Sequence, residues 1–109
     1  MSKDQYLEMC EQIGKEIDWE ECPPDWEDFP QIVIDSVNIF HCMGDRIYPE
    51  IGYIGKDYTN WQFLLDNYSI QEHQTDYVFD LVLWLDARKI EASQKKLKAE
   101  YDKIKRKHN

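Results

Sequence analysis

Glycine and proline are scarce in this chain, with four of each among 109 residues. That scarcity excludes collagen-like repeats and argues against a turn-rich all-β sandwich. An aromatic share of 14% argues equally against disorder, because disordered chains lack the bulky groups whose burial offsets ordering entropy. Cysteine is limited to Cys10, Cys22 and Cys42, an odd number without Cys-x-x-Cys spacing, which suits reduced thiols better than a disulfide framework. The longest apolar run, Leu81 to Leu85, is far too short to cross a bilayer, and Met1 to Tyr6 has no apolar core of the signal-peptide kind. The expected location is therefore the cytoplasm, where the Asn67-Tyr68-Ser69 sequon has no meaning.

Positive charge is also nearly missing from most of the chain. Residues 1–87 hold four Lys/Arg against 19 Asp/Glu, a net of −15, whereas residues 88–109 hold nine against three, a net of +6. The formal total is −9. This divides the chain into an acidic body, 1–87, and a basic C-terminal extension of the same domain, 88–109. Such asymmetry bears on partners and association more than on fold.

What is present reads as one mainly α domain, a small bundle of about four helices. Tyr6, Cys10, Ile13 and Ile17 recur at helical spacing and predict a first helix over Asp4 to Trp19, ended by Cys22-Pro23-Pro24-Asp25. Asp28 is the expected cap of a second helix with the stripe Val33, Val37 and Phe40, stopped at Gly44. Residues 44–58 carry three of the four glycines but also Ile47, Tyr48, Ile51, Tyr53 and Ile54, so an ordered apolar loop is expected, with room for a short strand pair. Thr59 or Asn60 caps a third helix through Trp61, Leu64, Leu65 and Tyr68. A last helix begins at Ser69 or Thr75 and runs to about Lys107. Its first half, Val78 to Leu85, is apolar nearly all round and expected in the core. Its second half keeps the seam Ile90, Leu97, Tyr101 and Ile104 and is expected to project from the body.

Two segments stand out as interaction surfaces. In Trp19 to Phe29, the aromatics Trp19, Trp26 and Phe29 interleave with carboxylates such as Asp25, a composition found in interaction segments and in mimics of nucleic-acid charge. The same rings serve equally to staple two helices to the core, and the two readings are compatible. The tail combines its seam with Lys103, Lys105, Arg106, Lys107 and His108, which favours a protein partner or self-association as much as a solvated helix end. Direct binding of nucleic acid is disfavoured by the acidic body, and the apolar seam is too narrow for a membrane anchor.

Signals for catalysis are weak. Gly52 to Asp57 resembles a phosphate loop only superficially, since Glu50 stands where a glycine is required and Asp57 where a Ser or Thr would hold magnesium. His41 and Cys42 diverge by about 100° as helix neighbours and make no dyad, so Cys42 is expected in the core. Cys22, His41 and Cys42 match no closed zinc pattern. The expectation is a protein with no enzymatic activity, no cofactor and no metal.

The strings Pro24-Asp25-Trp26-Glu27-Asp28-Phe29-Pro30, Gly44-Asp45-Arg46 and Ile54-Gly55-Lys56-Asp57-Tyr58-Thr59-Asn60, with the Lys-rich last helix, give the chain a family likeness from Trp19 to Lys107. It resembles the small acidic helical proteins encoded by tailed bacteriophages near their structural genes, among them tail-assembly chaperones. The resemblance implies a virus-encoded assembly factor in the host cytoplasm that shields an unassembled protein partner, and it implies no catalytic residue. Two alternatives stay open: an acidic mimic that inhibits or regulates a host nucleic-acid enzyme, and a structural subunit oligomerising through its C-terminal helix. The residues expected to hold a partner are Trp19, Asp25, Trp26, Phe29, Ile90, Leu97, Tyr101, Ile104, Lys105 and Arg106.

Overall fold

The computed structural model describes residues 1–108; Asn109 and the side chain of His108, both in the expected tail, lie outside the described residues. The chain is mainly α, with four α-helices and one two-stranded antiparallel sheet among the described residues. It divides into two compact units, Met1–Ile34 and the remainder from Asp35 onward.

In the first unit, Ser2 and Gln5 form a reciprocal cap that opens helix α1, Lys3–Ile13. Gly14 closes it in the left-handed region at φ 69°, a conformation glycine adopts without a Cβ penalty. The first helix is thus shorter than expected, ending well before the prolines. Ile13 and Ile17 are exposed, while Tyr6 and Cys10, one turn apart, are buried. The Tyr6 hydroxyl donates to the Asp18 carbonyl and accepts from the Asp18 amide, both at 3.2 Å, tying the following loop back to α1. Asp25 caps a 3-10 turn, Trp26–Asp28. Asp28 does not cap the next helix as expected. Its carboxylate accepts from the Asp25 amide at 2.8 Å and pairs with Lys3 at 2.9 Å.

Helix α2, Gln31–Cys42, begins just after Pro30, and the boundary between the units falls in its first turn. In the second unit, strands β1, Asp45–Tyr48, and β2, Gly52–Lys56, replace the expected loop with a hairpin. Asp45 pairs with Lys56, Arg46 with Gly55, Ile47 with Tyr53 and Tyr48 with Gly52, so the register skips Ile54 in a β-bulge. The bulge lets Tyr53, Gly55 and Lys56 all be buried despite the two-residue period of a strand. Helix α3, Trp61–Asn67, buries Leu64 and Leu65. It opens without a side-chain cap from Asn60, and Asp57 instead accepts from the Thr59 amide at 2.9 Å.

Helix α4 is continuous from Thr75 to His108 after a 3-10 turn, Glu72–Gln74. The charge boundary at Ala87 therefore falls inside one helix. Val78 and Val82 are fully buried, but Phe79, Leu83 and Trp84 are exposed, so the first half of α4 is only partly core. The buried positions Val78, Val82 and Asp86 recur every four residues, and β2 packs on α4 from Asp86 to Ser93. Ile39, Phe40, Met43, Leu64 and Leu65 complete the core of the second unit. Tyr58, Trp61 and Phe79 form an aromatic cluster at its edge, with ring centroids 5.4–6.2 Å apart.

Candidate functional surfaces

The hairpin is fastened to α4 by a buried polar network centred on Asp86. One Asp86 oxygen accepts from the Tyr53 hydroxyl at 2.5 Å; the other accepts from the Lys56 amide and the Tyr58 hydroxyl, both at 3.0 Å. Burial pushes the Asp86 carboxyl up, but the hydrogen bonds from Tyr53, the Lys56 amide and Tyr58 together outweigh it and hold the carboxyl below its ordinary value. Burial and the bond to Asp86 push the Tyr53 hydroxyl well up, and the same causes push Tyr58 up to about 12. The Lys56 ammonium, 4% exposed as a residue, donates to the Met43 carbonyl at 3.1 Å and to Asp45 at 2.7 Å, and lies over the Phe40 ring. Lys89 of α4 reaches Asp45 at 3.1 Å and sits over the Tyr53 ring. Hydrogen bonds first from Lys56 and then from Lys89 hold the Asp45 carboxyl below its ordinary value.

This network ties strand to helix: both Asp86 oxygens accept from donors of β2 and the residues after it. A Cβ on Gly55 would stand 3.1 Å from an Arg46 nitrogen and 3.3 Å from an Asp86 oxygen, and its φ of 133° is one that side chains rarely adopt. Glycine is therefore required where the strand crosses the carboxylate. Among the described residues no buried side-chain nitrogen or oxygen lacks a partner.

Farther along α4, the hairpin continues beside the helix. Ser93 accepts from the Tyr53 amide at 3.4 Å, Gln94 donates to the Ile51 carbonyl at 3.2 Å, and the Tyr101 hydroxyl donates to the Glu50 carbonyl at 3.5 Å. The expected projection of the helix from about Arg88 is corrected accordingly: the hairpin accompanies it as far as Tyr101. Of the seam, Ile90 and Leu97 are half-buried, while Tyr101 and Ile104 stay exposed, as do Lys105 and Arg106. Ile47, Tyr48 and Ile51 of the hairpin are exposed as well, and the hairpin turn meets the helix through the Glu50 and Ile51 carbonyls. The structure thus joins the outer seam to a hairpin turn, at Glu50 and Ile51, that sequence reasoning placed in an ordered loop and did not single out.

The other expected surface lies in the first unit. Trp19, Trp26 and Phe29 are exposed at 67%, 48% and 38%, and the Trp26 and Phe29 rings meet edge to face at 6.0 Å. Asp25 is also exposed, its carboxylate accepting from the Trp26 amide at 2.8 Å. Trp19 borders two shallow hollows, one of about 300 Å³ with Lys3, Cys22 and Asp28, the other of about 380 Å³ with Leu7, Cys10 and Ile17.

Cys42 is exposed rather than in the core, with its sulfur 3.7 Å from the Tyr68 hydroxyl. It follows Phe40, which faces inward on α2, so its own side chain turns outward. Among the described residues no helix is long and apolar enough to cross a membrane. Comparison of the chain with protein-family models, with characterised proteins and with solved structures gave no match.

Proposed function

We propose that this chain is a non-enzymatic protein-binding factor, most concretely an assembly chaperone or accessory protein of a tailed bacteriophage. The reading rests on one observation: the hairpin and the outer end of α4, which its turn meets at Gln94 and Tyr101, both leave large apolar side chains uncovered. Ile47 is 67% exposed, Tyr48, Ile51 and Ile104 54% each, and Tyr101 49%. Grouped apolar exposure of this kind marks interaction surfaces, whereas single exposed apolar residues do not. The Asp86 network at the base of the hairpin holds it to α4, so little ordering entropy is lost on binding. The surplus of carboxylates elsewhere keeps such a chain in solution while the patch is open.

In this function the patch covers an apolar segment of an unassembled protein and releases it on assembly. The test uses the partner recovered with the chain from the source cells, then purified and recombined with it. Binding that persists between about 0.05 and 0.5 M salt and is lost in an Ile51→Lys, Ile104→Lys double variant supports the proposal. Binding abolished by salt and indifferent to these substitutions would instead favour the carboxylate mimic, whose attraction is ionic.

A further inference from the structure

The outer end of α4 is both apolar and strongly basic. Residues 95–107 hold seven Lys/Arg and two acids, and Leu97, Glu100, Tyr101 and Ile104 line a shallow hollow of about 220 Å³. Two such tails are poorly suited to pair with each other. Ile90 and Leu97 are already half-buried with the hairpin alongside, and two extensions of +6 each repel at low ionic strength. The surface calls for an acidic partner that also offers apolar groups.

The same polypeptide carries one. Residues 16–29 contain seven carboxylates and no Lys or Arg, interleaved with the exposed rings of Trp19, Trp26 and Phe29. The backbone of this segment is held by the Tyr6 bridge to Asp18 and by the Asp25 cap, and the two hollows beside Trp19 have room for a side chain such as Tyr101 or Ile104. We infer that the basic end of α4 in one copy docks on the acidic aromatic segment, residues 16–29, of a second copy. The contact joins two different surfaces, so each copy can give one and receive one, and growth proceeds beyond a dimer unless a ring closes. It concerns copies of this chain alone and does not rest on the foreign partner proposed above.

Sedimentation velocity over a concentration series tests it with two full-length variants, each checked for native helix content by circular dichroism. One cancels the net charge of the tail (Lys103→Glu, Lys105→Glu, Arg106→Glu) and the other most of that of the head (Glu20→Lys, Glu21→Lys, Glu27→Lys). The wild-type mass rises with concentration at low salt and falls as salt is added. Each variant alone is a monomer, and their equimolar mixture associates again in pairs, because the unaltered acidic head of one variant then meets the unaltered basic tail of the other. Ile104→Ser, which leaves charge unchanged, weakens wild-type association about fivefold or more. A wild-type monomer at every concentration overturns the inference. So does association that strengthens with salt or survives loss of the tail's charge, the behaviour of tail-to-tail pairing, and so does a mixture that stays monomeric.

Discussion

Asp86 is the residue on which the second unit turns, because three donors from the β2 side converge on it in a buried setting. Replacing it with Ala strands the Tyr53 and Tyr58 hydroxyls and the Lys56 amide together, and is expected to cost about 3–5 kcal/mol. Tyr58→Phe removes one of several bonds to the same carboxylate and is expected to cost about 1 kcal/mol. Denaturant unfolding of the two variants checks this ranking, which fails if Tyr58→Phe proves the more damaging. Acid provides a second check. The Asp86 and Asp45 carboxyls are held below their ordinary values in the folded chain, so the unfolded chain binds more protons in acid. Their stabilisation is therefore present above about pH 4 and is lost as pH falls through the folded values. The melting temperature should drop on acidification, and Asp86→Asn should flatten that drop. For Tyr58, raised to about 12, the sign is opposite: its contribution is present below about pH 10 and lost above it.

At the scale of elements, what was legible in the sequence was whatever repeats locally. Trp61, Leu64, Leu65 and Tyr68 announced α3 by spacing alone, and the structure buries the central pair. The length of α4 was equally plain. The end of α1 differs from the proline-set limit because Gly14, in the left-handed conformation, stops the helix earlier. The hairpin was legible only as an ordered apolar stretch, since its turn has no Asn-Gly or Asp-Gly signal and places Glu50 itself at φ 71°. Asp86 gave one faint sign, a carboxylate continuing the Val78 and Val82 stripe, but its partners lie 28–33 residues earlier and no local pattern connects them. Of the candidate surface, Tyr101 and Ile104 were readable as a seam, whereas Glu50 and Ile51 meet the helix only through the fold. Because α4 holds the hairpin as far as Tyr101, ending the chain after Arg88 should lower stability by about 2–4 kcal/mol. Ending it after Asp102 should change stability by no more than about 0.5 kcal/mol. Thermal unfolding of both truncations checks this, and equal melting temperatures would mean that the outer helix gives the hairpin no support.

For the whole molecule, charge and apolar exposure divide the work. The acidic residues of 1–87 oppose non-specific association, the Asp86 network fixes a frame, and the hairpin turn with the outer end of α4 presents the apolar groups that, in the proposed function, select a partner. The measurement that bears most directly on this account is calorimetric titration of the purified partner into the chain at several temperatures. The account predicts a clearly negative heat-capacity change, the mark of apolar surface leaving water, and its loss together with binding in the Ile51→Lys, Ile104→Lys variant. A heat-capacity change near zero, with an affinity that collapses as salt is added and ignores those two substitutions, would contradict it.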